Sequence, residues 1–285
     1  MALNSGQLFK TFRFHGVKLQ VKIYTAYDII NSAPLNTYDY LINPANEALV
    51  GTRFAYFPVG GPVPKLPSYL KQTTSSVLLH ESSSSSSSER FMKSSTWGGM
   101  DAGENMLYSV QVVDGEVHEQ CGTPLLNYLQ SLPVLRKDEA GQDVRCPVGA
   151  AVLSPSFGNF LNYFRNIIHT VAPFYSDDNW KQLLMSCYMK SLDIAFQNGQ
   201  MQEGRNHNDG ITVASVVLGA GCRGIPFDEA ATAAAKACGE YDMCRNGKYE
   251  YIGGDHQLHF ILREEEHTNV LSKCIEECTN AEIIS

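Results

Sequence analysis

Apolar and polar residues alternate over residues 8–14 (LFKTFRF) and again over 18–24 (KLQVKIY), with His15-Gly16 between them. A period of two places every second side chain on one face, so the chain is expected to open with a half-buried β-hairpin. Residues 38–43 (YDYLIN) read as a further strand that runs into Pro44-Ala45-Asn46, where proline removes a ladder donor and turns the chain into a loop. Asn43 and Asn46 therefore stand at a strand's C-terminal end. Residues 108–113 have the look of a short strand. Beyond them Val117, Cys121, Leu125, Leu126, Leu129 and Leu132 recur at near-helical spacing, which predicts a helix from about Asp114, interrupted at Thr123-Pro124.

Residues 150–154 and 165–171 are the next expected strands, and 177–198 is the clearest helix, with Trp180, Leu183, Leu184, Cys187, Tyr188, Leu192 and Ala195 on one stripe and Gly199 closing it. Residues 211–218 (ITVASVVL) are apolar enough for a strand buried on both faces, and 226–238 follow as an alanine-rich helix with proline in its first turn. A strand at 257–262 and a helix at 265–278 end the pattern. This strand–helix alternation implies an α/β fold, a sheet covered by helices on both sides.

From about Gly51 to Val110 the composition changes: prolines cluster at 58, 62, 64 and 67, and seven serines occupy 82–88. Such a stretch buries too little apolar surface to offset its ordering entropy, and a long loop costs a core little to close. Residues 52–110 are therefore expected to be an insertion, partly disordered, in a single domain spanning 1–285. Cleavage by a protease is expected first between Lys71 and Lys93.

The chain has 285 residues, 44% of them hydrophobic, and 22 Lys+Arg against 30 Asp+Glu, a formal charge of −8. That is ample for a buried core, while no apolar run approaches the roughly 20 residues of a membrane helix. An acidic chain without a Lys/Arg block argues against binding nucleic acid through its phosphates, yet leaves open a small anion held by backbone amides. No basic-then-apolar leader precedes residue 16, so an intracellular location, cytoplasmic or nuclear, is expected. The eight cysteines are scattered, with no C-x-x-C, and are expected to be reduced and mostly buried, with no metal and no cofactor.

Three places could carry chemistry. Gly219, Ala220, Gly221, Cys222, Arg223 and Gly224 form a G-x-G-x-x-G between a buried strand and a helix, the arrangement in which free amides meet a phosphate. It also suits a dinucleotide fingerprint, with Glu240 or Asp242 as the ribose acid, or a glycine connection made for close packing. Only residues 225–285 follow, too few for the second half of a dinucleotide fold. Asn43 and Asn46 offer donors and acceptors to a sugar, or simply make an Asx-type turn. Val113-Asp114-Gly115-Glu116-Val117-His118 sets a carboxylate at a helix start, as a reactive group or as an N-cap.

Taken together and in order, these segments resemble the macro domain, an ADP-ribose-binding module. The resemblance is carried by YDII at 27–30, YDYLINPAN at 38–46, VDGEVHEQCG at 113–122, CPVGAA at 146–151, NIIHTVAP at 166–173, the 177–199 helix and GAGCRGIPFDEAA at 219–231. It spans nearly the whole chain apart from the insertion and the two ends, and implies a three-layer α/β/α sandwich with a mixed central sheet. By this resemblance Asp28 accepts from the adenine amino group, with Ile29 beside it, and Asn46 holds the distal ribose, with Asn43 on the same strand end. The 219–224 loop wraps the pyrophosphate, Val113, Gly115 and Val117 belong to the opposing phosphate loop, and Asp114 orients or activates water.

Three features depart from the family pattern. The glycine run between the asparagine and the valine-aspartate pair is missing, with only Gly51 soon after Asn46. Gly98-Gly99-Met100-Asp101 is a competing partial match, and Arg223 and Ile225 stand where aromatics are usual. His169 reads as a core histidine, His118 as a support for the Asp114 loop or a solvent-facing residue, and His256 and His259 carry no assignment. The resemblance implies binding of ADP-ribose or of mono-ADP-ribosylated proteins, with hydrolysis of the ADP-ribosyl ester. The alternatives are a non-catalytic reader and, more remotely, a nicotinamide-dependent oxidoreductase.

Overall fold

The computed structural model describes residues 6–26, 29, 37–51, 113–139, 141–199, 210–221, 223–245 and 255–284. In chain order the elements are β1 (Gln7–Phe14), β2 (Leu19–Thr25), β3 (Tyr38–Pro44), α1 (Val113–Ser131), β4 (Arg136–Lys137), β5 (Asp143–Val144) and β6 (Ala151–Pro155). A 3₁₀ helix (Gly158–Asn162) leads into β7 (Phe164–Thr170), α2 (Trp180–Gly199), β8 (Thr212–Ser215), α3 (Phe227–Arg245), β9 (His256–Leu262), α4 (Glu265–Cys278) and β10 (Glu282–Ile283).

Eight strands form one mixed sheet in the order β10-β1-β2-β9-β8-β3-β7-β6. The five strands from β2 to β7 in that order run parallel, while β10, β1 and β6 pair antiparallel at the two edges. Parallel strands need crossovers that cover the sheet, and two cores result. On one face Tyr40, Ile42 and Ile168 pack with Leu184, Tyr188 and Leu192 of α2, Ala234 and Cys238 of α3, and Leu271 and Ile275 of α4. On the other, Leu41, Phe164 and Ile167 pack with Val117, Cys121, Leu125 and Leu129 of α1. This is the three-layer sandwich with a mixed sheet expected from the sequence.

Some elements differ from expectation for identifiable reasons. The break foreseen at Thr123-Pro124 falls at Gly122 (φ 64°, ψ −157°), the residue able to take that backbone ahead of a proline that cannot continue the hydrogen-bond ladder. The strand expected over 211–218 pairs only as Thr212–Ser215. Leu218 then donates its N–H to the Tyr188 hydroxyl at 2.7 Å, so the end of this apolar run is buried without belonging to the sheet. The strand expected over 108–113 is instead helix at Val113; its remainder and the 52–110 insertion lie outside the described residues.

Candidate functional site

The sheet's connectivity locates a crevice. From the C-terminal end of β3 the chain goes on to α1 on one face, whereas from β8 it goes to α3 and from β7 to α2 on the other. β3 and β8 are parallel neighbours, so the connections diverge between them, and in open α/β sheets ligands bind at such a divergence.

At the tip of β3, Asn43 is fully buried, in register with His169 of β7. Its Nδ2 donates to Asp114 Oδ1 at 2.8 Å and lies 3.1 Å from His169 Nδ1. Asp114 is 1% exposed in the first turn of α1, where the helix dipole favours a negative charge. His118, one turn on, approaches the same Oδ1 at 3.8 Å. His169 Nε2 reaches Ser154 Oγ at 2.9 Å. Burial, reinforced by the His118 charge, pushes the His169 pKa down to about 3, so its ring is neutral.

Asn46 turns to its own loop: Nδ2 donates to the Gly51 carbonyl at 3.0 Å and Oδ1 accepts from Val50 N–H at 3.3 Å. Gly51 has φ +78° and backs directly onto His118, where a Cβ would come within 2.6 Å of the ring. Asn46 and Asp114 are thus linked through Gly51 and His118, while the amide placed on Asp114 is that of Asn43.

Opposite this cluster the 219–224 loop is shaped by Gly219 (φ +82°) and Gly224 (φ +74°). Gly224 N–H closes onto the Gly221 carbonyl and Ile225 N–H onto that of Gly219. The N–H groups of Ala220 and Gly221 have no hydrogen-bond partner among the described residues, and space is open where a Cβ on Gly221 would stand. The Arg223 carbonyl accepts from Tyr175 N–H at 3.0 Å, and its guanidinium lies over the Phe174 ring at 4.3 Å. Glu47 follows Asn46 in the chain and pairs with Arg136. Burial pushes its carboxyl above the usual range, with Arg136 at 3.2 Å and Arg223 pulling it down.

Of the other expected site residues, Ile29 and Val117 are buried in the α1-side core and Val113 packs against it. Any part they play at a ligand falls to their backbones. Gly115 sits in the first turn of α1 beside Asp114. Asp28 and Cys222 lie outside the described residues. Among the described residues no helix is long and apolar enough to cross a membrane.

The macro domain family model matches residues 101–234, a stretch that holds α1, β6, β7, α2, β8, the 219–224 loop and the start of α3. Over those residues the chain is similar to the macro domain family. The O-acetyl-ADP-ribose deacetylase of Citrobacter rodentium is 27% identical over 165 residues, covering 57% of this chain and 78% of that protein. A macro domain-containing protein of Xanthomonas campestris is 36% identical over 87 residues, 30% of this chain and 44% of its own length. Among solved structures, the Oceanobacillus iheyensis macrodomain with ADP aligns at a TM-score of 0.53 and 16% identity, over 95% of this chain and 97% of that one. This last likeness is one of fold.

Sequence reasoning passed over several groups that shape this site. His169 reads as core from its apolar strand, and its bond to Asn43 depends on β3 and β7 being neighbours in register. Tyr188 anchors the start of the glycine loop from the middle of α2. Phe174 and Glu47 come from loops whose partners lie far along the chain.

Proposed function

We propose that this protein binds ADP-ribose and hydrolyses the ester that joins mono-ADP-ribose to acidic side chains of proteins. The observation that carries the reading is the buried Asp114 carboxylate, held by the Asn43 amide at 2.8 Å, at a sheet divergence whose other side is a glycine loop in which the Ala220 and Gly221 N–H groups have no partner among the described residues. Free N–H groups in a glycine loop that leads from a strand toward a helix suit a pyrophosphate. In this reading Asn46 fixes the distal ribose, and Asp114 orients a water at the ribose carbon of the ester and takes up its proton. The water oxygen bonds to that carbon as its bond to the target's carboxylate oxygen breaks. The departing carboxylate is a stable anion, so no strong general acid is needed. Ester chemistry on ADP-ribose is also what the name of the deacetylase relative describes.

The reader alternative draws on one observation: the Asn46 amide is engaged by Gly51 and Val50, both in its own loop. One experiment separates the two. Calorimetry with free ADP-ribose is expected to give micromolar affinity, about −8 kcal/mol, and absence of heat with any ADP-ribose derivative refutes both readings. On protein mono-ADP-ribosylated at Asp/Glu, wild type is expected to remove the label. Asp114→Ala is expected to bind ADP-ribose but release label at least about 100-fold more slowly. No release by either protein leaves the reader, and equal release by both removes Asp114 from the chemistry.

A further inference from the structure

His169 is wholly buried in β7, where hydrophobic packing alone asks for no imidazole. Both its ring nitrogens are matched, to Asn43 on one side and Ser154 on the other. We propose that His169, with Ser154 behind it, is a positioning residue that aims the Asp114 carboxylate by fixing the Asn43 amide. The proposal rests on the reading of Asp114 as the water-orienting group.

The hydrogen bonds determine one another. Asn43 Nδ2 has two hydrogens, and its neighbours at hydrogen-bond distance are Asp114 Oδ1 and His169 Nδ1. The reversed amide would set an oxygen against a carboxylate oxygen at 2.8 Å, two acceptors face to face. With the amide so oriented, Nδ1 must accept. The proton of the neutral ring then sits on Nε2 and is donated to Ser154 Oγ at 2.9 Å. Burial agrees with a ring that carries one proton, since it stays neutral far below physiological pH.

The same orientation leaves Asn43 Oδ1 buried and without a partner. A free amide would turn to satisfy that oxygen, so Asp114 and His169 impose its orientation together. Without an acceptor at Nδ1, nothing on the β7 side opposes rotation of the amide, and Asp114 loses a fixed donor. Reaction geometry tolerates little such drift, because a shift of about 1 Å can cost a hundredfold in rate.

The test uses the full chain and three variants: His169→Leu, His169→Asn, whose Oδ1 can stand in for Nδ1, and Ser154→Ala. Label release gives kcat and KM, calorimetry gives the Kd for ADP-ribose, and nitrogen–proton spectra follow the Asn43 side-chain amide. His169→Leu is expected to lower kcat at least about 30-fold while KM and Kd stay within about threefold. His169→Asn should recover most of the loss, and Ser154→Ala should fall between. A purely structural role would shift KM and Kd in step with kcat and show no rescue, which would overturn the proposal, as would a folded His169→Leu with kcat within threefold of wild type.

Should His169→Leu not fold, Ser154→Ala decides, and an unchanged kcat there overturns it. If wild type binds ADP-ribose but releases no label, the hydrolytic reading has failed and the amide signals decide. Asn43 resonances displaced in His169→Leu and restored in His169→Asn support the linkage, and resonances unchanged in His169→Leu refute it.

Discussion

His169 and His259 place two imidazoles where water cannot reach them, and both have pKa values pushed down to about 3, burial being the main cause. His259 Nδ1 lies 2.8 Å from the Tyr38 hydroxyl and its Nε2 lies 2.9 Å from Gln257 Oε1, an arrangement that suits the neutral ring. Since an unfolded histidine binds its proton near pH 6.5 and these do so only near 3, the unfolded state holds more protons throughout that window. Their contribution to stability is therefore whole above about pH 6.5 and is lost as pH falls toward 3. Between pH 7 and 5, before most carboxylates titrate, each should cost about 2 kcal/mol. Urea unfolding at the two pH values is expected to show this fall. The His169→Asn variant should have a shallower dependence, and an identical slope in that variant would show that His169 is not kept neutral by the fold.

Within single elements the chain was unevenly legible, and the reason is what each pattern encodes. α4 spans Glu265–Cys278, the helix expected at 265–278, because a surface helix writes its buried face into its own period. α2 starts at Trp180 rather than at residue 177, since Asp177 accepts from Phe174 N–H and makes a turn first. β8 is shorter than its apolar run, because burial says nothing of whether a partner strand is alongside. The Asn43–His169 contact joins residues 126 positions apart and exists only through the β3–β7 register, which no local pattern records. The Tyr188 hydroxyl belongs with these unread contacts: it accepts the Leu218 N–H just before Gly219, so α2 sets where the glycine loop begins. Tyr188→Phe leaves that buried N–H unpaired, at a cost of about 1–3 kcal/mol. Denaturant titration should find that loss, and calorimetry a weaker heat with ADP-ribose. Full stability in the variant would show that the loop is set by its glycines alone.

At the scale of the molecule, the parallel strands, the helices on opposite faces and the divergence between β3 and β8 are built from residues on both sides of the Pro/Ser-rich stretch. Two facts bear on what that stretch contributes. Gly51, before it, packs on His118, which lies just after it in the first turns of α1, so the flanking chain is already together in space. The macro domain match begins at residue 101, inside the segment expected to be inserted. Replacing residues 52–100 with a short Gly/Ser linker should therefore keep the fold. Loop-closure entropy changes by only about 0.6 kcal/mol per doubling of length, so two halvings should gain about 1 kcal/mol, a slightly raised Tm. The shortened protein is expected to bind ADP-ribose within about threefold of wild type, because Asn43, Asn46, Asp114 and the 219–224 loop all remain and their fixed geometry carries the affinity. A shortened chain that folds but no longer binds would make the removed stretch part of the ligand site. One that fails to fold would make it part of the core, and would overturn the reading of 52–110 as an insertion.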